Sequence, residues 1–204
     1  MTSISPTIGQ IVTGEAVEVA MLDTLQTWLQ TYIAEIERQT GRDPESIPMI
    51  RSWSTSTQFD AQSEDQLPRV MLIATGMSGE PQRDGSGSYD ARWGVAVGVI
   101  ASASTQSATN ALAKLYAAAI RTAVVQHRSL GGFALGTEWL DERYDDLTTD
   151  GIRTLAGARL VFEVEVADIV RSNGPRDVPE DPYEAPADLV EIESADATVT
   201  LEAL

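Results

Sequence analysis

The sequence predicts an α+β protein in which two main helices pack against a mixed, mostly antiparallel sheet of about four to five strands, with an extended acidic C-terminal arm. Two segments repeat apolar residues every three or four positions, and several others alternate or are apolar throughout. The last 30 residues differ, with four prolines and with nine acids against one arginine. Such a segment cannot bury enough apolar area to offset the entropy of ordering it. We therefore expect a core domain, residues 1–174, and an arm, residues 175–204.

Two segments have the period of amphipathic helices. The first covers residues 22–40 and can begin nearer Glu15, and Gly41 supplies a residue tolerant of left-handed geometry to end it. The second is capped by Thr105 or the serine before it, carries an unbroken alanine-rich stripe and ends near His127. A cation there meets the negative end of the helix dipole, so a structural role is favoured for this histidine.

Five segments have the pattern of β-strands, and we place them at residues 49–58, 70–75, 89–103, 137–144 and 157–170. The second is apolar on both faces, which indicates a strand in the middle of the sheet. In the last, Arg159, Glu163 and Glu165 share one face opposite a row of apolar residues, so that face should be solvated or at an interface. Asp168 interrupts the pattern, which predicts a bulge or the end of the strand.

The strand at 89–103 alternates large residues at odd positions with small residues at even ones. The large residues can fill a core, while Gly94, Ala96 and Gly98 would let a helix approach the other face closely. We expect the alanine-rich second helix to pack on this small-residue face.

Two polar segments are predicted to be loops, at residues 76–88 and 145–156. Gly85-Ser86-Gly87 suggests a phosphate loop, but a strand follows it instead of a helix, so a simple connector is favoured. Acids in and before the second loop could bind Ca²⁺ if they folded around an ion, but their spacing does not match an EF-hand, so a solvated loop is favoured. These acids are Asp141, Glu142, Asp145, Asp146 and Asp150.

Composition excludes much ordinary chemistry. Against 14 Lys and Arg residues stand 31 Asp and Glu, and the net charge of −17 opposes binding to nucleic-acid phosphates or anionic membranes. Without cysteine and with a single histidine, the chain lacks disulfides, thiolate zinc sites and the usual general base. The longest uncharged apolar stretch, residues 93–103, is shorter than the ~20 residues of a membrane helix. We predict no catalytic, metal-binding or cofactor-binding residue, and assign the four tryptophans to the core or to a subunit interface.

In the order of its elements and in the residue pattern of four segments, the chain resembles the tail terminator (tail completion) proteins of long-tailed bacteriophages, especially phages of actinobacterial hosts. The resemblance covers about residues 15–172. The segments that carry it are Arg92 to Val99, Ala111 to Arg121, Trp139 to Tyr144 and Ala158 to Val164.

The resemblance implies a virion structural protein of a siphophage and not an enzyme. Its subunits would form a ring, most simply a hexamer, that caps the head-proximal end of the tail tube, ends tube polymerisation and joins tail to head. It implies assembly in the host cytoplasm, with the tail tube protein and head-tail connector proteins as partners and no cofactor. DNA would pass through the ring without being specifically bound, and the acidic charge suits such a passage. A neck connector protein and a small carboxylate-dependent hydrolase are the alternatives.

A terminator ring needs heterologous contacts, in which unlike surfaces of neighbouring subunits meet. We expect them on the 76–88 loop and on the polar face of the 157–170 strand, where an arginine of one subunit could meet acids of the next. The candidate interface residues are Arg83, Asp84, Tyr89, Arg159, Glu163 and Glu165.

Overall fold

The computed structural model describes residues 11–55, 66–83, 87–149 and 153–171. These residues form two α-helices and six strands, so the predicted α+β fold is confirmed. In chain order the elements are α1 (Gly14–Thr40), β1 (Ser52–Ser54), β2 (Arg69–Met77), β3 (Gln82–Arg83), β4 (Ser88–Ser102), α2 (Gln106–Gln126), a 3₁₀ turn (Leu130–Gly132), β5 (Gly136–Thr149) and β6 (Arg153–Arg171).

The strands form one sheet in the order β1-β2-β4-β6-β5, with the short β3 paired to β4. The β1–β2 pair is parallel and the other pairs are antiparallel, as the predicted mixed sheet requires. At its centre Val95 of β4 lies opposite Phe162 of β6, and Val97 lies opposite Leu160. All four side chains are fully buried and form the middle of the core under the helices.

The first helix is fixed at both ends by local side-chain chemistry. The hydroxyl of Thr13 accepts a hydrogen bond from the backbone N–H of Ala16 at 3.2 Å, and Gly41 ends the helix with φ at 65°. The helix therefore begins near Glu15, as expected. Its buried stripe has a three-to-four residue period and consists of Val17, Met21, Leu25, Leu29 and Ile33.

The second helix begins at the Thr105 cap, whose hydroxyl accepts from the N–H of Ala108 at 3.2 Å, and ends at His127. It packs on the valine face of β4, so its predicted position on the small-residue face is wrong. The helix itself supplies the small residues, such as Ala113 and Ala117, and these fit between the large strand side chains. Gly94 and its small neighbours therefore lie on the face turned away from the helices, which we call the open face.

The predicted loop at 145–156 is also wrong, because β5 and β6 form one long hairpin. Asp145 lies opposite Gly157, and Thr149 opposite Arg153, with residues 150–152 outside the described ranges. Aspartate disfavours strands, but pairing with residues 153–165 of β6 overrides that local preference, and the side chain of Asp145 on this edge strand is exposed.

Two other strand predictions have different outcomes. The predicted bulge is present: residues 166–170 of β6 lie opposite only residues 89–91 of β4, and Asp168 has φ at 54°. The strand predicted at 49–58 shrinks to the three residues of β1, and residues 56–58 lie outside the described ranges. Within the described residues, neither helix is long and apolar enough to cross a membrane.

Candidate subunit interface

The predicted acids of β6 lie on the open face, but they are already paired within the subunit. Glu163 lies 3.4 Å from Arg92 of β4 and also accepts a hydrogen bond from the hydroxyl of Ser78. Glu165 lies 3.8 Å from the same guanidinium. Since the Glu163 side chain is only 16% exposed, this cluster primarily fixes the end of β2 against β4 and β6.

Arg159 remains available for a contact with another chain. It is exposed on the open face and lies opposite Arg143 of β5, with which an attractive contact is impossible. Arg143 binds Asp141 at 2.8 Å, whereas Arg159 makes no hydrogen bond or ion pair with any described residue. Arg159 thus lies on the same face as the two acids, as the sequence predicts, but the acids pair with Arg92 instead.

The predicted 76–88 loop contains the two-residue strand β3, and through Ser78 it contacts Glu163 of the ion pairs described above. Arg83 is exposed and lies opposite Tyr89, which packs partly into the core. Asp84 lies outside the described residues. The backbone N–H of Ser78 donates to the carbonyl of Arg92 at 2.7 Å. The start of this segment, at Ser78, is therefore held against β4 and against the polar face of β6.

An apolar cavity of about 240 Å³ opens on the same face, further along β4. Two glycines make room for the side chains that line it. A Cβ at Gly98 would lie 3.5 Å from the methyl group of Met71, and one at Gly157 would lie 3.1 Å from a methyl group of Leu147. The centre of the open face is thus apolar, and its charged residues lie around that centre.

A second surface, at the edge strand β5, has the composition of a protein interface. Trp139, Leu140 and Tyr144 are 44%, 55% and 47% exposed. Two cations of α2 lie over the aromatic rings: Arg121 is 4.8 Å from the centroid of Trp139, and Lys114 is 5.5 Å from that of Tyr144. Tryptophan, tyrosine and arginine are the residues enriched where proteins bind one another.

One buried carboxylate holds this surface in place. The side chain of Glu142 is only 8% exposed and lies 2.7 Å from the guanidinium of Arg121. Its carboxylate also accepts a hydrogen bond from the hydroxyl of Tyr144. Burial and this hydrogen bond raise the pKa of Tyr144 to about 12, so its hydroxyl remains a donor at neutral pH. We call this ordered set the aromatic strip; it consists of Arg121 and Lys114 of α2 and Trp139, Glu142 and Tyr144 of β5.

One residue of the aromatic strip could be identified from the sequence: Trp139, which was assigned to the core or to a subunit interface. The cations over Trp139 and Tyr144 could not be found by spacing, because they come from α2, and nine residues separate the end of that helix from the start of β5. The bulge between Trp139 and Asp141 also breaks the period of two that would have grouped the side chains.

The described residues contain no group of three or more His, Cys, Asp or Glu that could hold a metal ion. His127 serves packing: its ring stacks on Trp28 with centroids 4.1 Å apart, and its Nε2 lies 3.1 Å from the hydroxyl of Tyr32. A cavity of about 780 Å³ beside α1 is lined by Glu15 and Asp23 among mostly apolar and hydroxyl side chains, and holds no nucleophile paired with a base.

No protein-family model matches this chain, and no curated protein matches it. Among solved structures, it is similar to a chain of the structure described as the virion of a native gene transfer agent (GTA) particle. The two are 16% identical, and the similarity covers 70% of this chain and 97% of that chain with a TM-score of 0.39. At this level of similarity, the function must be argued from the chain's own surfaces.

Proposed function

We propose that the protein is a structural subunit of a phage-type virion that assembles with copies of itself into a ring. In the finer form of the proposal, the ring caps the head-proximal end of a tail tube and ends its polymerisation. The observation that carries self-assembly is the aromatic strip, an ordered group of exposed aromatic side chains on a 14-residue edge strand. Soluble proteins rarely leave such an edge uncovered, because it invites pairing and buries apolar area when covered.

The tail-cap form draws its support from the element order, which resembles the layout of tail terminators. A cap must bind tube subunits through one face and present a different face outward. The open face carries the ion pairs of Arg92 with two acids at one end, and it carries Arg159, which has no partner among the described residues. Both offer polar contacts for such a partner. These contacts are separate from the aromatic strip.

Self-assembly is tested by measuring particle mass at several protein concentrations, with negative-stain imaging. We expect rings, most simply hexamers. Leu140→Ala should raise the concentration at which the rings dissociate, because Leu140 adjoins the aromatic strip. Leu135→Ala is the matched control, since Leu135 is 64% exposed but lies outside the strip. Equal effects of the two substitutions would show that the strip is not the contact.

Capping is tested by adding the protein to polymerising tail tube protein and measuring tube length. Shorter tubes with one ring at a single end are the expected result. Shortening residues 79–87 to a tight turn keeps Ser78 and its contacts with Glu163 and Arg92, so it should leave folding intact and weaken capping. A protein that stays monomeric and leaves tubes unchanged would contradict the proposal. If the protein is a neck connector instead, an antibody against it should bind assembled particles on the head side of the neck, and tube length should not change.

A further inference from the structure

We propose that β1 of one copy pairs with β5 of the next, so that the sheet continues from subunit to subunit around the ring. This inference rests on the self-assembly proposed above and names the two surfaces that meet. It concerns an edge-to-edge contact, which none of the candidate residues from the sequence anticipated.

The sheet ends in two unlike edges. Its order, β1-β2-β4-β6-β5, leaves the outer sides of β1 and β5 without a partner strand among the described residues. The β5 edge is 14 residues long and adjoins the aromatic strip, whereas the β1 edge has three residues. Backbone N–H and C=O groups on such edges are ready to pair with another chain.

Charge opposes pairing of β5 with a second β5. Residues 138–146 contain five acids and one base, Arg143. A two-fold contact would bring both sets of acids together, and like charges opposite each other on paired strands are destabilising. The partner of β5 must therefore be a strand with little negative charge.

The β1 edge has that property. Residues 46–55 contain no acid. Arg51 is exposed, and its side chain makes no hydrogen bond or ion pair with a described residue. Arg69 of β2, beside β1, donates to the hydroxyl of Ser54 at 3.1 Å, but its buried Nε has no partner among the described residues. Two guanidiniums thus lie at this edge without a carboxylate partner among the described residues, and their charge complements the acids of β5.

Strand direction also permits the contact. β1 runs parallel to β2, and each further step across β4, β6 and β5 is antiparallel, so β5 runs opposite to β1. Rotation about an axis along the strands preserves these directions. The β1 of one copy then meets the β5 of the next as an antiparallel pair, which is the more stable kind. Unlike edges that meet in this way form a heterologous contact, which repeats until a ring closes.

Disulfide trapping tests the pairing directly, because the chain has no cysteine of its own. Ser54→Cys is combined in turn with Glu138→Cys, Arg143→Cys and Thr149→Cys, which span β5. Under mild oxidation at least one combination should give cross-linked ladders up to the full ring, while each single variant stays uncross-linked. A single β5 cysteine that cross-links efficiently to itself would establish two-fold β5 pairing and overturn the proposal.

Charge reversal supplies an independent readout. Arg51→Glu should raise the ring dissociation concentration at least tenfold, and adding Glu138→Arg and Asp145→Arg should restore much of the loss. Arg42→Glu is the control, because Arg42 is also exposed and its side chain has no partner among the described residues, but it follows α1 and belongs to neither edge strand. Circular dichroism checks the folding of each variant. If Arg51→Glu does not change ring stability and no pair of cysteines gives a ladder, the β1–β5 pairing is wrong but the proposal of self-assembly stands. If the wild-type chain forms no rings, both the pairing and the self-assembly are wrong.

If β5 variants still form rings but no longer bind the tube, the β5 edge contacts the tube protein, and the pairing is again wrong.

Discussion

The carboxylate of Glu37, in the last turns of α1, accepts a hydrogen bond from the backbone N–H of Ile47 at 2.7 Å. It also accepts the N–H of Glu45 at 3.1 Å and the hydroxyl of Ser46 at 3.3 Å. The residue is only 5% exposed. One carboxylate therefore ties the segment that leads into β1 to the end of the first helix.

Glu37→Gln should destabilise the protein in a pH-dependent way. The hydrogen bond from Ile47 and those from its neighbours hold the pKa of Glu37 below its ordinary value of 4.5. A lowered pKa gives stability that is fully present above the ordinary value and is lost as the pH falls through the lowered one. Urea titrations at pH 6 and pH 3 should show a large difference between wild type and variant at pH 6 and a smaller one at pH 3. The same difference at both pH values would contradict this role.

Phe162→Ala should cost about 3–5 kcal/mol of unfolding free energy, because it empties a large, fully buried site in the centre of the sheet. Its neighbour Glu163 is the matched control, since it lies on the opposite, open face. Glu163→Ala should cost less than about 1 kcal/mol, as expected for a partly exposed ion pair. Denaturant midpoints at unchanged m-value measure both, and similar costs would mean that the two faces are assigned wrongly.

Gly41→Ala should lower the unfolding free energy by about 1–2 kcal/mol. The residue has φ at 65° and a Cβ there would meet no atom within 4 Å, so the cost comes from backbone conformation alone. Gly41→Asn is the control, because asparagine tolerates the left-handed region better and should cost less. Thermal unfolding of the three proteins ranks them, and an alanine variant as stable as wild type would refute the assigned cap.

Local signals in the sequence were enough to define the helices. Thr105 and Gly41 act through hydrogen bonds and dihedral angles of residues within four positions, so their effects can be read from short segments. The alternation in β6 likewise identified its core face, because a two-residue period needs no knowledge of the neighbouring strand. Asp168 marked the bulge for the same reason.

Features that depend on distant pairing could not be predicted in this way. The aspartates of β5 favour a loop locally, and only their register against β6 makes them strand residues. The pairing of Glu163 with Arg92 joins residues 71 positions apart, so the sequence could place the acid on the polar face but could not show that its charge is already used. Arg159 was correctly placed on that face. That it has no partner among the described residues can be seen only from the complete set of contacts in the structure.

Removal of residues 175–204 should leave the core folded. The last described strand ends at Arg171, and the described strands and helices already form a buried core of their own. The shortened chain should keep a cooperative melting transition near that of the full chain, while ring formation is measured separately. Loss of the cooperative transition would show that the arm supplies part of the core and that the boundary at 174 is wrong.

The stacking of Trp28 on His127 offers a way to follow helix packing by tryptophan fluorescence. Because Trp28 belongs to α1 and His127 ends α2, the environment of this indole, and with it the emission, depends on whether the two helices are packed together. With Trp53, Trp93 and Trp139 replaced by phenylalanine, the protein would carry a built-in reporter of its helical layer that needs no added label.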